Sequence, residues 1–189
     1  LWCVLLAAGG SRRLGKPKQL VRLRSRALLL RAADAASAVA PGRVVVVLGA
    51  HALKLQALLR RHGARVRIAY NPRWREGMAS SLSAGVKALP VDARAALFTL
   101  TDQPHVTSRS LRRLVRIWQA RPGIPAAARY CGHIGVPAIL PRRELAALHR
   151  LQGDLGARVL LRTANREITL VDMPEAALDI DTAEDLRRL

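Results

Sequence analysis

The chain has 189 residues, 50% of them hydrophobic, which is enough for one domain with a substantial core and too few for two of ordinary size. Its 32 basic residues against 13 acidic ones leave a formal net charge of +19, which favours anionic partners, yet only 3% of residues are aromatic, leaving little for stacking along a nucleic acid. No apolar run approaches the ~20 residues that cross a bilayer, and Leu1 to Ala8 is too short and lacks the basic start of a signal peptide, so the expectation is a cytoplasmic protein with no membrane contact.

Taken in order, Trp2 to Ala7 is an apolar run suited to a buried strand. It breaks into Gly9-Gly10 and then delivers Arg12, Arg13, Lys16 and Lys18. Glycines let backbone N–H groups approach an anion, and the cations neutralise charge that amides alone cannot, so the stretch reads as a triphosphate loop. It is not a P-loop, because Pro17 stands where a Ser or Thr hydroxyl should hold magnesium. Nor is it a dinucleotide fingerprint, since G-x-G-x-x-G is missing and the second strand ends Leu48-Gly49-Ala50-His51 without an acid for a ribose. The bland alternative is an Arg-rich surface loop, against which a double glycine directly behind a strand argues.

Leu20 to Leu23 reads as a short extended piece, and Ser25 as the N-cap of a helix over Ala27 to Val39 that Pro41-Gly42 ends. Arg43 to Leu48, with four consecutive valines, is a strand buried on both faces and therefore interior to a sheet. A helix over Leu53 to Arg61 and a strand over Val66 to Tyr70 follow. The segment Asn71 to Leu89 leaves that strand and opens a helix, so Met78 to Ser81 present N–H groups and the Ser80 and Ser81 hydroxyls at a helix N-terminus, whether for a ligand or for ordinary capping.

Ala95 to Leu100 is another buried strand running into Thr101-Asp102-Gln103-Pro104. An acid at the C-terminal end of such a strand stands where open α/β sheets bind ligands. Asp102 could instead cap the helix starting near Ser108, but Thr107 and Ser108 are better placed. Leu111 to Trp118 is amphipathic, Ala126 to Cys131 and Ala138 to Leu140 read as strands, and Pro141 as the first residue of a helix. Ile168 to Asp172 is the last strand. Asp181 then supplies a second carboxylate, ahead of a helix capped by Thr182 with Asp185 three residues on. Cys3 and Cys131 read as buried thiols, and the five histidines show no ligand spacing.

The run LLAAGGSRRLGKPKQL from Leu5 resembles the signature loop of the MobA-like nucleotidyltransferases, in particular the CTP:molybdopterin cytidylyltransferase branch. NPRWREGMASSLSAG from Asn71, the DxP element at Asp102, the G-x-x-G-x-P element at Gly132, Gly135 and Pro137, GDLGAR from Gly153, and DIDTAED from Asp179 resemble the same family. The resemblance implies a single-domain (1–189), three-layer α/β/α Rossmann-like nucleotidyltransferase fold with a mostly parallel central sheet. It implies transfer of CMP from CTP to the phosphate of molybdopterin with release of pyrophosphate, Mg2+ as cofactor, and Asp102 and Asp181 as its ligands. Catalysis then falls to Arg13, Lys18 and Asp102. The nucleotide is expected on Leu6, Ala7, Ala8, Gly9, Gly10, Ser11, Arg13, Lys18, Met78, Ser80, Ser81, Gly85 and Asp102. The acceptor is expected by Gly132, Gly135, Pro137, Asp154 and Arg158, although Arg158 reads equally as the partner of Asp154.

The implied partners are CTP and molybdopterin, with a transient molybdoenzyme or maturation chaperone and no specific nucleic acid. The nearest rivals are GTP or another NTP as donor and a sugar or polyol phosphate as acceptor. Ala8 and Pro17-Lys18-Gln19 favour CTP. A non-catalytic cofactor-delivery chaperone is a rival of a different class, against which the intact pair Asp102 and Asp181 argues.

Overall fold

Strand β1 (Trp2–Ala7) carries buried residues on both faces, and the alternation of its side chains divides the interior in two. Cys3, Leu5 and Ala7 join one apolar cluster, while Trp2, Val4 and Leu6 join the other. A strand with no polar side has to lie inside a sheet covered by helices above and below. The computed structural model, which describes residues 1–153 and 167–187, has that architecture.

The elements in chain order are the hairpin β2 (Arg22–Leu23) and β3 (Arg26–Ala27), α1 (Leu28–Ser37), β4 (Val44–Leu48), α2 (Ala52–Arg61), β5 (Arg67–Tyr70) and α3 (Met78–Lys87). Then come β6 (Ala95–Leu100), α4 (Ser108–Gln119), β7 (Ala126–Tyr130), β8 (His133–Pro141), α5 (Arg142–Leu145), β9 (Thr169–Asp172) and α6 (Ala183–Arg187). The sheet runs β5-β4-β1-β6-β8-β7-β9. Among the described strands of this sheet only β8 is antiparallel to its neighbours, so the central sheet is mostly parallel and the fold is the Rossmann-like α/β/α class expected. Helices α1, α2 and α4 cover one face through Leu29, Leu55, Leu59, Leu111 and Leu114, and α3 and α5 cover the other through Leu82 and Leu145.

After β1 the chain steps outward to β4 and β5, then returns to place β6 on the other side of β1. The connections diverge between β1 and β6, which leaves a crevice at their C-terminal ends. Helix α3 sits close over this region because Gly85 gives way. A Cβ there would lie 2.5 Å from Val4 Cγ1 and 3.1 Å from Val47 Cγ2.

Some expectations change. Ser25 does not cap α1: it and Arg24 form the two-residue turn between β2 and β3, both at positive φ, while Ala27 holds the cap position without a side-chain bond. The extended piece near Leu20 is a short 3-10 turn followed by β2. The strand expected over Ala138 to Leu140 belongs to the longer β8, and Pro141 precedes α5 as its N-cap. Pro137 is tolerated inside the sheet because the ladder skips it: Ala127 pairs with Ala138 and Ala128 with Gly135. Cys131 is exposed at the β7–β8 turn with φ +48°, whereas Cys3 is buried and its thiol is pushed up to about 12. Burial is the cause.

Native protein at neutral pH therefore exposes one reactive thiol, Cys131, to a disulfide reagent, with the second appearing only in denaturant; thiol counting before and after unfolding checks this. Gly85→Ala forces α3 off the sheet and is expected to cost about 1–3 kcal/mol, read from a urea melt.

Candidate active site

The crevice is floored by the end of β1 and the glycine loop. Leu6, Ala7, Ala8 and Gly9 line it, with Lys18, Gln19, Trp74, Gly77, Met78, Ser81, Leu100, Thr101 and Asp102 completing the wall. The loop is held from beneath. Gln19, buried, donates its Nε2 to the carbonyls of Ala7 (3.0 Å) and Gly9 (2.8 Å), and the Ser11 hydroxyl accepts from the Lys18 N–H at 3.0 Å. Thr101 ties β6 to β1 by donating its hydroxyl to the Leu6 carbonyl at 2.7 Å.

Its two glycines do different work. A Cβ on Gly9 would meet nothing within 4 Å, so Gly9 leaves room at the cleft surface. Gly10 lies under the indole of Trp74, where a Cβ would come 2.8 Å from Cζ3. Gly49 at the end of β4 is covered by the same side chain, and a Cβ added there would stand 2.5 Å from Trp74 Cβ. Trp74 thus wedges the glycine loop against the β4 turn, and Arg75 stacks on its ring at 4.4 Å.

Across the crevice, Gly77 opens α3 at φ +103°, a conformation open to glycine and strained for other residues. Buried Asn71 donates Nδ2 to both Ser80 Oγ (2.9 Å) and Ser81 Oγ (3.0 Å). Ser80 spends its proton on the carbonyls of Arg73 and Gly77, each at 2.8 Å. Ser81 only accepts, so among the described residues its hydroxyl keeps a donor for the cleft it lines.

The acids meet at the far rim. Asp102 follows β6, and the Ile180 N–H donates to its backbone carbonyl at 2.9 Å, which draws Asp181 alongside. Lys18 Nζ donates to Asp102 Oδ2 and, at 3.0 Å, to Asp181 Oδ1, while Arg13 donates to Asp181 Oδ2 at 2.8 Å. The Lys18 and Asp102 side chains are 16% and 15% exposed, so this pair is largely dry. Burial acts to pull the Lys18 ammonium down, but Asp102 and Asp181 outweigh it and hold its pKa above the ordinary value. Asp102 Oδ1 is buried and makes no hydrogen bond among the described residues. A carboxylate oxygen left so is a ready cation ligand, and an Asp pair suits a hard ion that takes few protein oxygens.

Asp102 is not a helix cap. Thr107 caps α4 in a reciprocal box with Ser110, and Thr182 does the same for α6 with Asp185. Of the expected nucleotide set, Leu6, Ala7, Ala8, Gly9, Lys18, Met78, Ser81 and Asp102 line the crevice. Gly10, Ser11 and Ser80 support it from behind, Gly85 packs against the sheet, and Arg13 reaches the rim through Asp181. Sequence reasoning does not single out Trp74 and Thr101, and it uses Gln19 only as part of the Pro17-Lys18-Gln19 string. Their only signal is position: polar or bulky residues inside the motif strings. On the acceptor side Gly132 is exposed at the β7–β8 turn, beyond the same sheet edge, while Gly135 and Pro137 are buried in β8. Asp154 and Arg158 lie outside the described residues.

Removing the Lys18 ammonium leaves two facing carboxylates and is expected to cost about 3 kcal/mol. Because the folded pKa of Lys18 is raised, this contribution is fully present below its unfolded value near 10.5 and is lost only as pH rises through the higher folded value. The stability gap between wild type and Lys18→Met, measured by urea melts, should stay constant from about pH 7 to 9 and close above about 10.5.

The model of the MobA-like NTP transferase domain matches residues 3–174. The chain is 35% identical over 199 aligned residues to the nicotine blue oxidoreductase of Paenarthrobacter nicotinovorans, covering 98% of this chain and 94% of that protein. Among solved structures, Rv0371c from Mycobacterium tuberculosis H37Rv superposes with a TM-score of 0.82 at 30% identity, covering 99% of this chain and 96% of that one. A manganese complex of Rv0371c superposes at 0.78 with 28% identity, covering 99% and 96%. With the family model spanning β1 through β9, and a glycine loop facing an acid at the sheet's switch point, the chain belongs to the MobA-like NTP transferase family.

Proposed function

We propose that the whole chain works as one cytidylyltransferase domain, moving CMP from CTP to the phosphate of molybdopterin in the cytoplasm. The observation that carries this is the meeting of Asp102 and Asp181 on Lys18 beside the glycine loop. The crevice holds about 210 Å³, below the ~300–1,000 Å³ of pockets that enclose a whole small ligand. It fits part of the nucleotide, with the triphosphate lying over the loop toward Lys18 and Arg13.

Asp102, with its unpartnered Oδ1, and Asp181 would hold Mg2+, which when bound neutralises phosphate charge. Gly9 leaves the backbone open to the phosphates, Ser81 offers a hydroxyl donor, and Lys18 and Arg13 balance charge that develops on the leaving group. An oxygen of the acceptor phosphate attacks the α-phosphorus, the bond to the bridging oxygen of the β-phosphate breaks, and pyrophosphate departs with the electron pair. The attacking oxygen is already ionised, so no side chain has to remove a proton. Positioning and electrostatics supply the rate. The motifs assign the acceptor to Gly132, Gly135 and Pro137 and to Asp154 and Arg158, which lie outside the described residues, and a molybdoenzyme or its chaperone receives the product.

A second reading, nucleotide-dependent reduction, is favoured by the 35% identity to a protein named an oxidoreductase. Against it, the β4 turn Gly49-Ala50-His51 offers no carboxylate to a dinucleotide ribose. Incubation with each NTP, Mg2+ and molybdopterin should release pyrophosphate with CTP foremost, and incubation with NADH or NADPH and a redox dye should leave the reduced nucleotide unconsumed. Asp102→Asn should abolish release while the melting curve stays cooperative, and Lys18→Ala should slow it by about 10²-fold or more. Turnover retained in Asp102→Asn rejects the assignment.

A further inference from the structure

Resting on the reading of Asp102 and Asp181 as the metal-holding pair, we infer that this site works by exchange of partners. The two cations meant for the triphosphate and the two carboxylates meant for the metal neutralise one another until both ligands arrive together.

Three of the four carboxylate oxygens are engaged by these cations: Asp102 Oδ2 and Asp181 Oδ1 by Lys18, and Asp181 Oδ2 by Arg13. The fourth, Asp102 Oδ1, is buried and unpartnered among the described residues. A divalent ion coming alone meets carboxylates already paired with two cations, and it can displace Lys18, whose side chain is only 16% exposed, only with no anion to receive it. A triphosphate coming alone recruits Lys18 and Arg13 only by stripping the cations from Asp102 and Asp181, which leaves a nearly buried carboxylate facing a polyanion. Uncompensated buried charge is strongly unfavourable in either case. When metal and triphosphate enter together, each carboxylate gains the ion and each cation gains a phosphate, so no charge is left without a counter-charge.

The coupling is reciprocal by thermodynamic necessity: metal raises nucleotide affinity by the same factor as nucleotide raises metal affinity. Lys18 is then a positioning residue as well as a phosphate contact. It holds Asp102 and Asp181 together in the geometry the ion later uses, and it keeps stray divalent ions out of a site that has no nucleotide.

Calorimetric titration tests this without turnover, because no acceptor is present. Wild-type protein should bind Mn2+ alone weakly, bind CTP in EDTA weakly, and bind CTP about tenfold or more tightly once Mn2+ is added. Lys18→Met should bind Mn2+ alone about tenfold more tightly than wild type, with a correspondingly larger rise in melting temperature on adding Mn2+. If Lys18→Met fails to fold, Arg13→Gln, at a side chain 72% exposed, should move Mn2+ affinity in the same direction by a smaller factor. Mn2+ affinity unchanged or weaker in the variants overturns the inference, and so does a wild type that binds no Mn2+ with or without CTP. Pyrophosphate release in the same preparations keeps the two claims apart. Transfer without the affinity gain overturns the exchange and leaves the transferase reading standing, whereas the affinity gain without transfer does the reverse.

Discussion

One ammonium group shared between two carboxylates is the interaction on which this structure turns. Asp102 follows β6, Asp181 lies in the segment before α6, and Lys18 comes from the loop after β1, so three distant parts of the chain are tied at a single point. The point is dry enough for the charges to matter. It also sits where the connections diverge on either side of β1, the place where an open α/β sheet leaves a crevice. Chemistry and architecture therefore share one location: whatever positions β1 beside β6 also positions the cation beside the acids.

The neighbouring polar groups keep that location rigid. Gln19 ties down two loop carbonyls, Thr101 fastens β6 to β1, and the Ile180 N–H carries the C-terminal segment to the Asp102 carbonyl. Gln103, buried, donates to the carbonyls of Val136 and Ala176 at 3.2 and 3.0 Å, binding β8 and the turn after β9 to the same corner. Gln19, Thr101 and Gln103 are buried polar side chains that each donate to backbone carbonyls, and these bonds tie the corner together.

Much of this is legible in the sequence because the signals are strong and local. The all-apolar runs at Trp2, Val44 and Ala95 have a single comfortable home, and the acid at the end of the third has few structural duties to compete for it. The departures have physical reasons. Ser25 has the side chain of a cap, but its backbone is needed for a tight turn at positive φ, which a serine tolerates without announcing. Gly10 and Gly85 stand in motifs as ligand-facing glycines would. They are spacers for an indole and for two valines, a role set by neighbours distant in sequence. Trp74 escapes notice, and Gln19 is read only for the string it belongs to, for the same cause: their importance lies in what they touch. The roles of Asp154 and Arg158 rest on motif alone, since both fall outside the described residues.

Among the described residues the edge strand β5 pairs with β4 alone, and it shows Ile68 and Tyr70 at 37% and 61% exposure. Such a border is a template on which another copy could add its own strand. The formal charge of +19 acts against that, since every copy repels every other before the borders can meet. That mutual repulsion does not depend on any substrate, and concentrated salt would shield it away.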